Sequence, residues 1–482
     1  MKKGPEIIDE RLVSAREGEL PYTDAEISMI LDTYMYTDYA FAKDGQDLRT
    51  IVEEMPEHID VDKTYAGEYA ILSQAVLDPA VGNLRIRDQS RQMGYNEGTN
   101  ACAFFSPEGD VYVAFRGTAD GEWGDNGKGL TEKETLQQKE ALRYFDEVME
   151  KEGIKEEQKV ITTGHSKGGN KVQFITMESA FAFLIDRTYS VDGQGFPEKA
   201  IRNWKERYGK EGYRERTDKL YGINGENDFV SVLGKTVIPK EHIRYIRTPA
   251  EKTDLAAYHD IKRMFVTEKK LPDGSVEYVY RGRKNREALH KGALGNSVRG
   301  LSEEFMKLPP VYLDGCASTA MQIAEAARGR KKTGIHHERA GASDLGDFYF
   351  AGLPTIFYSL FVKKDGRDLI ENLALEEEFG LCLSAEDSIR VNYRLLASSA
   401  SDLRRTAFLI EKCLWEFEAA SFALPFCLDG LTVRKPEIDA AAARLKLIQL
   451  KFLALGTALE GIAGIYESCD TDICALFGAQ FS

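Results

Sequence analysis

No stretch of about eighteen consecutive apolar residues occurs in the 482-residue sequence, which excludes a conventional transmembrane helix. The opening segment, Met1 to Arg16, alternates acids and bases and has no apolar core, so no cleavable signal peptide is expected. The chain is expected to be made soluble in the cytosol and, if it leaves the cell, to use another route. An excess of basic residues is also lacking. With 63 Lys and Arg against 78 Asp and Glu, the net charge is -15. This excludes nucleic acid or anionic lipid as a partner held by bulk electrostatics, since both need a basic surface. Cysteine is sparse and unpaired in pattern. The seven, Cys102, Cys316, Cys382, Cys413, Cys427, Cys469 and Cys474, are odd in number and form no C-x-x-C pair. They read as reduced thiols rather than a disulfide scaffold or zinc site. Internal repeats and low-complexity blocks are absent. What remains is ordinary globular composition, 43% hydrophobic and 29% charged, enough for two or three cores.

The texture changes along the chain. Val111 to Phe115 and Val160 to Gly164 are short apolar runs rich in β-branched and aromatic residues, and Thr131 to Glu152 between them predicts one charged helix. This is the β-α-β rhythm of a largely parallel sheet. Strand-like segments return at Tyr189 to Asp192 and Leu220 to Asn224. From about Asn296 the pattern turns helical, with the glycine-rich 334–346 expected as a loop. In the last hundred residues, Leu396, Ala400, Leu403, Ala407 and Ile410 step by four and three. So do Ala441, Leu445, Ile448, Phe452 and Leu455. Pro425, Gly430 and Pro436 separate the two seams, which predicts an antiparallel helical hairpin. The divisions expected are 1–300, 301–384 as a helical connecting region, and 385–482.

Gly164-His165-Ser166-Lys167-Gly168 follows the strand ending at Thr163 and precedes a predicted helix, the setting a nucleophile elbow requires. Side chains two residues either side of the serine would collide with strand and helix, which explains the two glycines. A serine hydroxyl needs a histidine to take its proton and a carboxylate to orient that histidine. In α/β-hydrolase order the acid comes next, then the base. Asp228 follows the strand-like Leu220 to Asn224, at the sheet edge where such enzymes keep catalytic groups; Glu226 is the neighbouring alternative. His259 is the first histidine beyond Asp228 outside the strand-like segment that holds His242, with His290, His336 and His337 as alternatives. The oxyanion of the tetrahedral intermediate needs two donors. Lys167 N–H is one. The other is Thr118 N–H, where Val113 to Phe115 runs into a glycine turn. The expected class is α/β, an α/β-hydrolase sheet flanked by helices, followed by a mainly α-helical C-terminal region ending in the hairpin.

These segments together resemble the class 3 lipase family, in particular its bacterial lipase-like branch. Phe115-Arg116-Gly117-Thr118 with Trp123 and Asp125 is similar to the family's oxyanion strand. Gly164 to Asn170 is similar to the elbow, including Lys167 and Asn170. Asp192-Gly193-Gln194-Gly195-Phe196 resembles the D-G-P-G-F turn, with Gln194 in place of proline, and Asp228-Phe229-Val230 resembles the acid motif. The resemblance spans about residues 20 to 265. It implies a Ser166, Asp228, His259 triad and hydrolysis of carboxylic esters, often acylglycerols or phospholipids, without a metal or organic cofactor.

The last segment resembles the WXG and LXG helical domains of proteins exported by type VII secretion. Leu428-Asp429-Gly430 stands at the turn, where tryptophan is lacking, and Tyr466 and Asp470 match the Tyr-x-x-x-Asp/Glu secretion signal. This implies small WXG-like helical partner proteins on the hairpin and an immunity protein as a further partner. Together the two resemblances imply an exported antibacterial lipase toxin. A cytosolic carboxylesterase whose tail is a lid or dimer contact, and an idle hydrolase-fold binding module, are the alternatives.

Overall fold

The computed structural model describes residues 22–327, apart from 96–97, 119–121, 251–254, 272–275, 282–286 and 289, together with 342–352 and a few isolated positions beyond. The chain divides into two compact units, Met1–Leu369 and Ile370–Ser482. Nearly all of the second falls outside the described residues, and with it the expected hairpin, Tyr466 and Asp470. Among the described residues no helix is long and apolar enough to cross a membrane.

The first unit is α/β. Its main sheet has eight strands, in the spatial order β1 (Arg85–Arg87), β2 (Ala101–Phe105), β3 (Val111–Phe115), β4 (Val160–His165), β5 (Ile185–Val191), β6 (Leu220–Gly225), β7 (Ile243–Ile246) and β10 (Glu287–Ala288). Strands β3 to β7 are parallel, whereas β1, β2 and β10 pair antiparallel at the two ends. A separate hairpin pairs β8 (Val266–Lys270) with β9 (Val276–Tyr280).

Sequence alternation decides what covers each face. Along β3, Tyr112 and Ala114 join the core built by the N-terminal helices α1 (Asp24–Tyr34), α2 (Leu48–His58) and α3 (Ala66–Ala75). Val111, Val113 and Phe115 face the other way, into Ala141, Tyr144, Phe145 and Val148 of the helix that precedes β4. Because β3 to β7 are neighbours in both space and sequence, right-handed crossovers place their connecting helices on one face and leave the other for the N-terminal helices. Full burial on both sides explains why the strand pattern reads as continuous rather than alternating polarity.

Between β3 and β4 the structure holds α4 (Trp123–Thr131) and α5 (Leu136–Lys151); α5 is the helix expected over Thr131 to Glu152, beginning later, and α4 precedes it. The later start has a local cause. The Thr135 side chain accepts from Gln138 N–H while the Gln138 side chain accepts from Thr135 N–H, a reciprocal box that starts a new helix. α6 (Lys167–Glu178) follows β4, and α7 (Glu198–Thr217) follows β5. Further on come α8 (Ala293–Phe305) and α9 (Pro310–Ala327), helical as expected. α9 packs along α4, and Thr131 Oγ1 donates to Asp314 Oδ1 at 2.6 Å. Helix Ala342–Asp347 occupies the end of the segment expected as a loop.

Candidate active site

The carboxyl ends of β3, β4, β6 and β7 converge on Ser166. Its backbone is at φ 61° and ψ -122°, between β4 and the first turn of α6. A non-glycine residue in this region is strained by roughly 1–3 kcal/mol and persists only where its surroundings impose it. They do so here through close packing. A Cβ on Gly168 would lie 2.0 Å from Phe115 O, and one on Gly164 would lie 2.3 Å from the Gly168 carbonyl carbon. The strand and helix therefore approach closely enough to throw the serine forward, while Ser166 N–H donates to Val191 O at 2.8 Å.

Ser166 Oγ lies 2.7 Å from His259 Nε2, and His259 Nδ1 lies 2.6 Å from Asp228 Oδ1. Asp228 is fully buried. Burial alone would raise its pKa, but the opposing His259 and the Ser231 donors outweigh it and hold the carboxyl below the usual carboxylate range. Ser231 N–H donates to Oδ2 at 2.6 Å, and Val230 N–H to Oδ1 at 3.2 Å. An ionised Asp228 accepts only, so His259 carries its proton on Nδ1 and turns the lone pair of Nε2 toward the hydroxyl. The Lys167 N–H opens α6, where the first donors of a helix lack intrahelical acceptors. Thr118 lines the same cavity, and its hydroxyl oxygen accepts from Asn126 Nδ2 at 2.9 Å. The five residues proposed from sequence thus meet at one place.

The alternatives do not. Glu226 pairs through its main chain with Ile246 and Gly292. His290 is exposed, and His242 bonds to Leu220 O at 3.0 Å and stacks on Tyr221. His336 and His337 lie outside the described residues.

Two features were not visible in the sequence. The first is an ion pair beneath the elbow: Lys167 Nζ lies 2.7 Å from Asp125 Oδ1, with both side chains almost wholly buried. Asp125 also accepts from Thr135 Oγ1 at 2.8 Å and Gln137 N–H at 3.3 Å. Burial opposes its ionisation, yet Lys167 and these donors hold it below its ordinary value. The pair ties α4 to the elbow. Only the spacing of Trp123 and Asp125 after the oxyanion strand hinted at it.

The second feature is a second histidine. His165 stacks on His259, with ring centroids 4.7 Å apart and planes inclined at 29°. Burial, then the neighbouring His259, pushes its pKa well down, so the ring is neutral. Burial also pushes the Tyr36 phenol upward, and its hydroxyl shares a hydrogen bond with His165 Nδ1, 2.7 Å away. Asp192, at φ 46°, accepts from Gly225 N–H at 2.7 Å. Its carboxyl is raised well above the usual range by burial and then by the Asp228 charge. His165, Asp192 and His259 hold ligand-type atoms within 4.8 Å of one another. Stacked rings, however, point their nitrogen lone pairs side by side rather than at one centre, and both His259 nitrogens are engaged. The trio therefore does not fit a metal ion.

A cavity of about 610 Å³ opens over Ser166. Phe229, Val230, Leu233, Ala257 and, from α9, Ala320 and Met321 give it apolar walls; Glu68, Asp260, Lys262 and Glu268 give it charged ones. This size suits a small-molecule substrate.

Over residues 78–267 the chain is similar to the Mbeg1-like family. That span contains Ser166, Asp228 and His259. No curated protein and no solved structure matches the chain.

Proposed function

We propose that this chain is a serine ester hydrolase of the α/β-hydrolase type, akin to the class 3 lipases, acting through an acyl-enzyme. Ser166 Oγ attacks the ester carbonyl while His259 Nε2 takes its proton, and Asp228 stabilises the resulting imidazolium. The oxyanion is received by the N–H groups of Lys167 and Thr118. His259 then protonates the departing alcohol, leaving an acyl group on Ser166. A water deprotonated by the same nitrogen attacks that acyl group, releasing the acid and restoring the hydroxyl. The observation that carries this reading is the unbroken relay of 2.7 Å and 2.6 Å from a serine held at φ 61° to a buried, ionised carboxylate. The apolar cavity walls favour an acyl chain, hence a lipase or phospholipase substrate.

A fluorophosphonate probe tests the reading. Wild type is expected to label stoichiometrically at Ser166, and Ser166→Ala not at all. An unlabelled wild type, or labelling retained in the alanine variant, overturns it. The proposal extends to delivery, with the segment 385–482 acting as an export domain for an antibacterial lipid-degrading toxin. Removal of 385–482 should then abolish release from a cell competent in type VII secretion. Undiminished release would sink the extension while leaving the chemistry intact.

A further inference from the structure

A second cavity, of about 200 Å³, shares Tyr36 with the one above Ser166 and differs from it in character. Its walls are Tyr36, Tyr39, Tyr65, Asn100 and Arg116, with Arg91 on the exposed side. The main chain of Arg116 is pinned: its N–H donates to Asn100 O at 2.9 Å, and its carbonyl accepts from buried Lys171 Nζ at 3.3 Å. The guanidinium lies over the Tyr36 ring, 5.6 Å from the centroid. Its Nε is buried without a hydrogen-bond partner, and among the described residues no carboxylate pairs with it.

Asn100 is the second observation. It is 3% exposed, held at φ 37°, and its Oδ1 accepts from Tyr39 at 3.4 Å. Buried polar groups are normally satisfied, so the unpaired Arg116 Nε beside this cavity suits an acceptor that comes from outside. Among the described residues that line it, two arginines accompany one acid, the exposed Asp38, in a chain whose net charge is -15. Planar guanidinium forks match tetrahedral oxyanions, and arginine serves this chemistry better than lysine.

We infer that this small cavity is a phosphate subsite. Tyr36, which bounds it, is hydrogen-bonded through its hydroxyl to His165, whose ring stacks on His259. A phosphate held there lies two side chains, Tyr36 and His165, from the catalytic histidine. That is the placement required for an ester that carries a phosphate near the bond to be cleaved. The substrate class is then a phosphate-bearing acyl ester rather than a neutral acylglycerol. The substrate part of the inference rests on the ester-hydrolase reading, while the binding part does not.

Calorimetric titration of the full chain with sodium phosphate and with glycerol 3-phosphate, at constant ionic strength, needs no turnover and remains informative if Ser166 fails to label. Saturable binding is expected in wild type, weakened about tenfold or more in Arg116→Met, by less in Arg116→Lys, and about threefold in Arg91→Ala. Far-UV circular dichroism of each variant checks folding, and the conservative lysine variant carries the test if the methionine variant unfolds. A second arm compares kcat/KM for lysophosphatidate with that for the monoacylglycerol of equal chain length. A ratio that falls about tenfold in Arg116→Met assigns the phosphate to the substrate. An unchanged ratio, with free phosphate altering monoacylglycerol hydrolysis, keeps the subsite and assigns it to the free ion. Absence of phosphate binding at about 10 mM, or equal binding in wild type, Arg116→Met and Arg116→Lys, overturns the inference.

Discussion

Removing either partner of the Lys167–Asp125 pair should cost far more than removing both. The two charges are 2.7 Å apart, with side-chain exposures of 0% and 4%, so solvent cannot take over for a missing partner. Breaking a buried pair on one side costs about 3–5 kcal/mol, because the remaining charge is stranded. Lys167→Met falls at the lower end, since Asp125 still accepts from Thr135 Oγ1 and Gln137 N–H. Asp125→Asn falls higher, since it leaves the ammonium without a counter-charge, facing neutral oxygens such as the main-chain carbonyl of residue 125 at 3.2 Å. The double variant strands no charge, and an asparagine oxygen can still accept from Thr135. It should therefore recover about 2 kcal/mol or more relative to the sum of the singles. Urea unfolding of the four proteins at neutral pH measures the cycle. For a unit of this size each kcal/mol moves Tm by about 2 °C or less, so the single variants should melt roughly 5–10 °C early. The N–H at position 167 survives in all four, so fluorophosphonate labelling below the transition should persist. Additivity within about 0.5 kcal/mol would refute the idea that this pair anchors α4 to the elbow.

Asp228→Asn should lower kcat by about 10⁴, because an amide can present its N–H to His259 and favour the wrong tautomer, while the fold by circular dichroism stays intact. A loss of tenfold or less would place the orienting acid elsewhere. Asp32, buried on α1 against Thr163, has its pKa raised well above normal by burial, only partly offset by the Thr163 hydroxyl. The folded state thus holds a proton that the unfolded state releases, and stability falls as pH rises from the unfolded value of about 3.9 toward the folded one. Asp32→Asn should raise Tm at pH 8 and lose that advantage as pH drops below about 4, which scanning calorimetry at two pH values decides. Met321→Trp, adding bulk where α9 meets the cavity, should cut kcat/KM for long acyl chains about tenfold more than for acetyl esters. Equal losses on a chain-length series would argue that α9 does not shape the acyl site.

The triad was legible because each member sits in a short local pattern at a strand end and the three follow a fixed chain order. Gly164 and Gly168 were legible for the same reason, as their steric role is played out within five residues. The β-α-β rhythm exposed the parallel strands, since strands covered on both faces read as unbroken apolar runs. Long-range pairings were not legible. Nothing near Tyr36 in sequence announces His165, 129 positions away, and the Lys167–Asp125 pair joins residues whose charges look solvated in isolation. The start of the expected helix at Leu136 rather than Thr131 was hidden because Glu132, Lys133 and Glu134 are good helix formers. The reciprocal cap at Thr135 sets it.

The cavity over Ser166 is assembled from two kinds of chain. Every group to which the proposed mechanism assigns a proton or the oxyanion falls within residues 78–267, the span similar to the Mbeg1-like family. Tyr36 and Glu68 come from before that span, and Ala320 and Met321 from after it. The proposed reactivity thus lies in the central stretch, while the walls that set preference are shared between that stretch and its flanks. Two proteins alike across the central stretch would share a reaction yet choose different substrates. Recombining the flanks on a constant centre is the economical route to new specificity in this scaffold.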